Sequence, residues 1–348
     1  MKNKKIKIGN KFIGGGSPCL LIAEVGTTAL GDLKKALKLI KAAAQAGVDA
    51  VKFQLIDPDQ ISDKSVTYPV ISGNVKKNVN MYKMFKDLSF SIQDWKIIKK
   101  TCEKNKLLFF TTVDFIAGVD LLEKIGVCTH KIGAWDTTYS PLIQRIGKTK
   151  KPMFVDLGPT TEVEIKKLVA LYKKNGGTAV LFMHDFHTQD DREMNLRAIQ
   201  KLNRMYPWPA GFSSPGLDDS IDVAALALGS ACLEKRLTLN RKIRSFHAHE
   251  SLEPLEMREW VKKIRHVERA LGKAVIHPSK NDLKGKKLYY RSICTVQKIK
   301  KGQIFSYSNI DGKRPGTGIS TMCIPEIIGR KAQKNLKANH ILKKSDFK

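Results

Sequence analysis

The stretch that most limits what this chain can fold into runs from Leu20 to Gln54, LLIAEVGTTALGDLKKALKLIKAAAQAGVDAVKFQ. A short apolar run ends on a carboxylate, Glu24, with Gly26 just beyond it. Leu33, Ala36, Leu37, Ile40, Ala43 and Ala44 then recur at i, i+3 and i+4 spacing. That pattern predicts a helix from about Asp32 to Ala46 with one face in the core. Gly47 suits its C-cap, and a second apolar strand follows, ending on Lys52 and Gln54. Strand, helix and strand in so short a span form a βαβ unit, with parallel strands and a right-handed crossover. The polar groups fall at the carboxyl ends of the strands, where folds of this kind carry their chemistry.

The unit repeats along the chain. Apolar strands are predicted at 107–112, 129–133, 152–156, 178–184, 210–213 and 231–234. Helices are predicted near 91–104, 116–125, from 140, 162–174, 191–205, 217–229 and 253–271. Eight strands, each followed by a helix, predict an α/β fold: a (β/α)8 TIM barrel in a domain spanning 1–271. A doubly wound sheet is the second choice, since even spacing of eight units favours closure. Residues 5–14 read as a strand pair turning at Gly9-Asn10 and capping the bottom of the barrel. Between Gln54 and Asp87 the sequence is polar and lacks clear periodicity, as in a long loop that covers a site. Residues 272–287, rich in Lys, Gly, Pro and Ser, read as a linker. From 288 to 348 short β-like runs predict a small separate domain, in which KIKKGQIFSYSNI and NLKANHILKKSDF echo each other.

The formal charge of +29, from 62 Lys and Arg against 33 Asp and Glu, raises the question of a nucleic-acid partner. The lysines are spread along the chain, many on polar helix faces, with no Arg-rich run, zinc-finger spacing or aromatic RNA-binding signature. A solvated basic surface that steers anionic substrates toward a cleft fits better, and no nucleic acid is expected. No run approaches the roughly 18 apolar residues of a membrane helix, so no membrane partner is expected. The N-terminus lacks an apolar signal-peptide core. Six cysteines without CxxC spacing read as reduced core thiols, Cys232 among them, and point to a cytoplasmic protein.

The eight strand ends carry Glu24, Lys52 with Gln54, Thr111 with Thr112, Lys131, Asp156, His184, Ser213 and Glu234. Some polarity is ordinary near solvent. Lysines behind apolar runs are not, because an inward ammonium must pair with a carboxylate or a bound anion. Lys52 and Lys131 therefore read as an anion site, with an imine-forming lysine as the alternative. His184, Asp185 and His187, together with His247 and His249, are either ligands of a divalent metal or hydrogen-bonded loop histidines.

These residues resemble the sialic acid synthase family, barrel enzymes with a C-terminal antifreeze-like (SAF) domain. The matching segments include IAEVG (22–26), AGVDAVKFQ (46–54), FFTT (109–112), HKIG (130–133), GFS (211–213), LEK (233–235), SLEP (251–254) and KRPGTGI (313–319). The likeness runs in order over nearly the whole chain. It implies condensation of phosphoenolpyruvate with the open-chain aldehyde of an N-acetylated amino sugar, giving a nonulosonate 2-keto-3-deoxy acid and phosphate for surface polysaccharide. By the same resemblance Lys52 and Lys131 grip the phosphate and carboxylate of phosphoenolpyruvate with Thr112 beside them, and Ser213 is a further substrate-binding residue. Gln54 and Glu24 face the sugar, and Glu24, Asp136 and Glu234 are the candidate catalytic carboxylates. Arg314 would reach into the barrel of a partner subunit in a domain-swapped homodimer. His184 matches the first of two histidines holding Mn2+ or Mg2+.

The chain departs from the family pattern at several of these places. Thr28-Ala29 replaces Asn-His, Ala134 and Asp136 replace Ser and Glu, and Asp156 stands where a serine helps bind phosphate. Pro215 occupies the position of the second metal histidine, and Arg236 that of a further histidine. His247 or His249 is the expected replacement ligand, and Arg236 or Lys235 the expected counter-charge to Asp156. The alternative reading is a non-catalytic or regulatory homologue that binds a sugar or an anion.

Overall fold

The computed structural model describes residues 5–72, 75–185, 190–214, 216–243 and 245–348, with side chains outside 68–77. The chain divides into two units, Met1–Gly272 and Lys273–Lys348.

The first unit opens with β1 (Ile6–Ile8) and β2 (Lys11–Ile13), followed by β3 (Leu20–Glu24), α1 (Leu33–Ala46) and β4 (Ala50–Leu55). An insertion then holds α2 (Pro58–Ile61), the antiparallel pair β5 (Thr67–Ser72) and β6 (Val75–Asn80), and α3 (Met81–Lys86). The regular alternation resumes with α4 (Ile92–Lys104), β7 (Leu108–Val113), α5 (Ile116–Ile125), β8 (His130–Ile132), α6 (Ser140–Lys148) and β9 (Met153–Asp156). It continues through α7 (Glu162–Lys174), β10 (Val180–His184), α8 (Ala198–Met205), β11 (Gly211–Ser213), α9 (Ser220–Ala227), β12 (Cys232–Arg236) and α10 (Pro254–Leu271). Strands β3, β4 and β7 to β12 close into an eight-stranded parallel barrel in chain order, β12 pairing back onto β3.

Local chemistry sets these boundaries. Asp32 caps α1 by accepting the Lys35 N–H at 3.2 Å. Gly47 ends it at φ 88°, a left-handed conformation that costs a residue with a Cβ about 1–2 kcal/mol. The stripe Ala36, Leu39, Ile40 and Ala43 is buried against the outer face of the barrel. Each such Leu or Ile contributes about 1.5–3 kcal/mol.

Inside the barrel the period-2 alternation of β-strands divides the residues into two sets. Leu20, Ile22, Ala50, Phe110, Phe154 and Leu181 face inward and pack on Ile6, Ile8 and Ile13, so the first hairpin plugs the bottom. Leu21, Val51, Phe53, Phe109, Val155 and Phe182 face outward under the helices. One rule thus fills the lower barrel with hydrocarbon and leaves the last inward positions of the strands to line its mouth.

The structure adds local detail to three of the expected stretches. The insertion after β4 is not structureless, since it folds into a hairpin between two short helices. Among the described residues between β10 and β11, only Ala198–Met205 is α-helical, preceded by a single turn at Asp191–Glu193. The stretch expected as a linker contains α11 (Lys280–Tyr289), capped by Ser279 and Asp282.

In the second unit β13 (Ser292–Thr295) pairs antiparallel with β14 (Ile310–Lys313), and α12 (Ile324–Ile327) follows. Ile293, Ile299, Phe305, Ile310, Leu336 and Leu342 belong to its core. The two echoing segments meet there, with Ile299 bridged to Leu336. Arg314 follows β14, is exposed, and donates from Nε to the Tyr289 carbonyl at 2.8 Å.

Candidate active site

Above the hydrocarbon layer polar inward residues of most strands line a cavity of about 260 Å³. The strand register makes neighbours of residues far apart in sequence. Glu24 lies beside Lys52, Thr112 beside Lys131, and Ser213 beside Glu234. Closure brings β12 against β3, so Glu234 meets residues some two hundred positions earlier.

Five of these groups form a buried chain of charges. Glu24 Oε1 lies 3.6 Å from Lys52 Nζ, and Lys52 Nζ lies 3.1 Å from Glu234 Oε1. Glu234 Oε2 accepts from Lys131 Nζ at 2.7 Å, and Lys131 reaches Asp156 Oδ2 at 2.9 Å. Three carboxyls therefore share two ammoniums. For Glu234, burial alone would raise the pKa, but Lys131 and Lys52 outweigh it and hold the carboxylate at about 2. For Asp156 burial dominates, Lys131 opposes it, and Asp185 and Glu234 add to it, pushing the group up to about 7. Lys131 prefers the carboxylate that also has Lys52. Its own pKa is raised, because Asp156 and Glu234 overcome the burial that would discharge it. Lys131 is therefore a charged ammonium, not the neutral amine an imine mechanism requires.

Period 2 adds two further residues to the inward set. Asp114, two beyond Thr112, lines the cavity, and burial together with Asp136 pushes its carboxyl up to about 7. Arg236, two beyond Glu234, also lines it and donates to Glu250 Oε1 at 2.7 Å. The same oxygen lies 2.9 Å from His247 Nδ1, and burial followed by Arg236 lowers the His247 pKa, leaving a neutral imidazole. On the open side, Ile61, Met81 and Phe85 of the insertion, with Trp135 and Phe246, make an apolar wall. Phe85 and Phe246 stack at a tilt, their centroids 5.9 Å apart. Trp135 is 71% exposed.

Most of the expected site residues come together here. Glu24, Lys52, Gln54, Thr112, Asp136, Asp156, Ser213, Glu234 and His247 line the cavity, with Lys131 buried beneath it. His184 does not. Met183 takes the inward position of β10, so His184 turns outward, where its Nε2 is 2.9 Å from the Met194 carbonyl. The structure thus does not place this expected metal ligand among the cavity-lining residues. Lys235 also points outward, into a buried pair with Asp222 at 2.9 Å, and does not neutralise Asp156; Lys131 does. Pro215 and His187 lie outside the described residues. Arg314 belongs to the second unit.

Among the described residues the donor set does not fit the divalent metal implied by the resemblance. Among the described residues no three His, Cys, Asp or Glu side chains are grouped to hold one. Glu24, Glu234 and Asp156 are engaged with lysines, and His247 with Glu250. Among the described residues four buried oxygens of the cavity lining have no partner: Glu24 Oε2, Thr112 Oγ1, Asp114 Oδ1 and Asp156 Oδ1. Each such atom costs about 1–3 kcal/mol, which a ligand offering matching groups recovers.

A (β/α)8 barrel with buried ammoniums and carboxyls at the carboxyl ends of its strands belongs to the class of barrel proteins with a polar small-molecule site in the mouth. The chain belongs to the NeuB family, whose model matches residues 39–276, and a SAF domain matches 290–348. It is 31% identical to an N,N'-diacetyllegionaminic acid synthase of Campylobacter jejuni, over 93% of this chain and 98% of that one. A pseudaminic acid synthase of the same species is 30% identical, over 94% and 96%. The crystal structure of an N-acetylneuraminic acid synthetase from Leptospira borgpetersenii superposes with a TM-score of 0.72 at 26% identity, covering 82% of this chain and 95% of that one.

Proposed function

We propose that the protein is a carbon–carbon bond-forming synthase that condenses phosphoenolpyruvate with the open-chain aldehyde of an N-acetylated amino sugar. The products are phosphate and a nonulosonate 2-keto-3-deoxy acid for surface polysaccharide, made in the cytoplasm. The observation that carries this reading is the pair of buried ammoniums at the barrel mouth, surrounded by unpartnered oxygens. Named relatives make legionaminic and pseudaminic acids, which supports the product class.

In this mechanism Lys52 and Lys131, with the hydroxyls of Thr112 and Ser213, bind the phosphate and carboxylate of phosphoenolpyruvate. Gln54 and the apolar wall orient the sugar. The C3 carbon of phosphoenolpyruvate attacks the aldehyde carbon, and the aldehyde oxygen takes a proton from the Asp114–Asp136 pair. Water adds at C2 and gives up its proton to Glu24, whose Oε1 accepts the Gly26 N–H at 2.7 Å and whose Oε2 is unpartnered. Glu234 keeps both ammoniums in register throughout. Phosphate then leaves from C2 and the ketone forms. Arg314 completes the site of a partner subunit in a domain-swapped homodimer. No step is routed through a metal, because the described donors do not assemble one.

The test is phosphate release from phosphoenolpyruvate across a panel of N-acetylated amino sugars, with and without Mn2+. Release that depends on one sugar is the expected result. Silence across the panel, with phosphoenolpyruvate failing to raise the melting temperature, overturns the reading. The surplus of carboxyls over ammoniums in the buried chain favours, as second reading, a homologue that binds sugar without catalysis.

A further inference from the structure

Among the described residues, the buried chain Glu24–Lys52–Glu234–Lys131–Asp156 carries one more carboxyl than ammonium. An anion seated on Lys52 and Lys131 adds negative charge to a group that is already acidic and largely buried. In a medium of low dielectric that arrangement is not tolerated unless a carboxylate is neutralised. The members are not equivalent. Glu234 holds two ammoniums, and Glu24 holds Lys52 and the Gly26 N–H. Among the described residues Asp156 ends the chain paired with Lys131 alone, and its Oδ1 is buried with no partner there.

We propose that Asp156 binds the substrate's oxyanion as a neutral carboxylic acid, so that above neutral pH each anion bound takes up about one proton from solvent. This rests on the phosphoenolpyruvate reading above. The proton goes to the unpartnered Oδ1, which then donates to a ligand oxygen. Lys131 keeps Glu234 and exchanges its contact with Oδ2 for the same ligand. No covalent bond changes. The charged groups facing Asp156 are Lys131 on β8, Lys52 on β4, Glu234 on β12, Asp185 after β10 and Asp114 after β7. Three of the five are acidic, which favours the proton, and the group already stands near neutrality before ligand arrives. An aspartate in an anion cradle is on this view a proton-dependent hydrogen-bond donor rather than a block.

The experiment is calorimetric titration of the full chain with phosphoenolpyruvate, and separately with inorganic phosphate. It is run at pH 6, 7 and 8 in non-phosphate buffers of different ionisation enthalpy. Wild type is compared with Asp156→Asn and Asp156→Ser, each first shown to be folded by its melting transition. At pH 8 wild type should take up about one proton more per phosphoenolpyruvate than either variant. Its affinity should fall about ten-fold per pH unit above 7 relative to theirs. Asp156→Ser, which donates without ionising, should retain binding and lose this pH dependence; a purely structural role would cost it binding at every pH. Equal proton counts and parallel pH profiles, with binding intact at pH 6, overturn the role of Asp156 alone. Absence of binding by wild type and both variants at pH 6, for both probes, overturns the phosphoenolpyruvate reading and this proposal with it.

Discussion

Replacing Lys131 with methionine isolates the electrostatics of the barrel mouth. Methionine keeps the bulk of the lysine stem but removes the ammonium, leaving Asp156 and half of Glu234 without a counter-charge in a fully buried position. Breaking a buried ion pair from one side costs about 3–5 kcal/mol, because the remaining charge stays desolvated. For a barrel of this size that corresponds to a fall of roughly 1–2 M in the urea midpoint. All four tryptophans, at 95, 135, 208 and 260, lie in the first unit, so their fluorescence reports its unfolding alone. The sign of the pH dependence follows from the protons. In wild type Glu234 is held at about 2, and its contribution is present above the ordinary carboxylate range and lost as pH falls from there toward 2. In the variant the orphaned carboxyls shift upward and protonate as pH falls, so the deficit should shrink by at least half between pH 8 and pH 5. Adding Glu234→Gln should recover part of the loss at pH 8, since it removes the uncompensated charge. A deficit below about 1 kcal/mol at pH 8, or one that grows on acidification, would refute the account of these five groups as one network.

Two further outcomes are expected. An alanine Cβ at Gly26 would stand 2.7 Å from Glu24 Oε1 and 2.9 Å from the Gln54 backbone nitrogen. Gly26→Ala should therefore cost about 1–3 kcal/mol and weaken ligand binding together; unchanged melting and affinity would show that the strand ends are loosely set. Asp114 is pushed up to about 7, so its contribution to stability is present below the ordinary carboxylate range and lost as pH rises toward 7. Asp114→Asn should flatten the stability profile between pH 4.5 and 6.5 by about 1 kcal/mol per pH unit, and a profile parallel to wild type in urea titrations would reject the assignment.

Much of the barrel was legible from local periodicity. The i, i+3, i+4 stripe of α1 and the helix 116–125 are local patterns in which each residue is read against neighbours one turn away, and both form as expected. Glu24, Lys52, Lys131 and Glu234 could be picked out because a charged residue closing an apolar run is conspicuous in one dimension. The inward position of Asp114, like that of Arg236, follows from period 2 continuing past the strand end. The same rule, with Met183 inward, turns His184 away from the mouth. The hairpin at 67–80 and the helix at 280–289 lack a strong apolar stripe, which is why they read as loop and linker.

What the sequence determined by itself is the succession of strands and helices, since hydrophobic spacing and caps act over a few residues. It also determined which residue types reach the mouth. What only the tertiary structure decided is how those charges are shared. Glu234 joins Lys52 to Lys131, and Asp156 is left at the end of the chain with one partner, only because closure sets β12 beside β3 and carries β4, β8, β9 and β12 to one mouth. Electrostatic energy in a buried site depends on distances of a few ångströms and on the exclusion of water, and neither quantity is written in the order of residues.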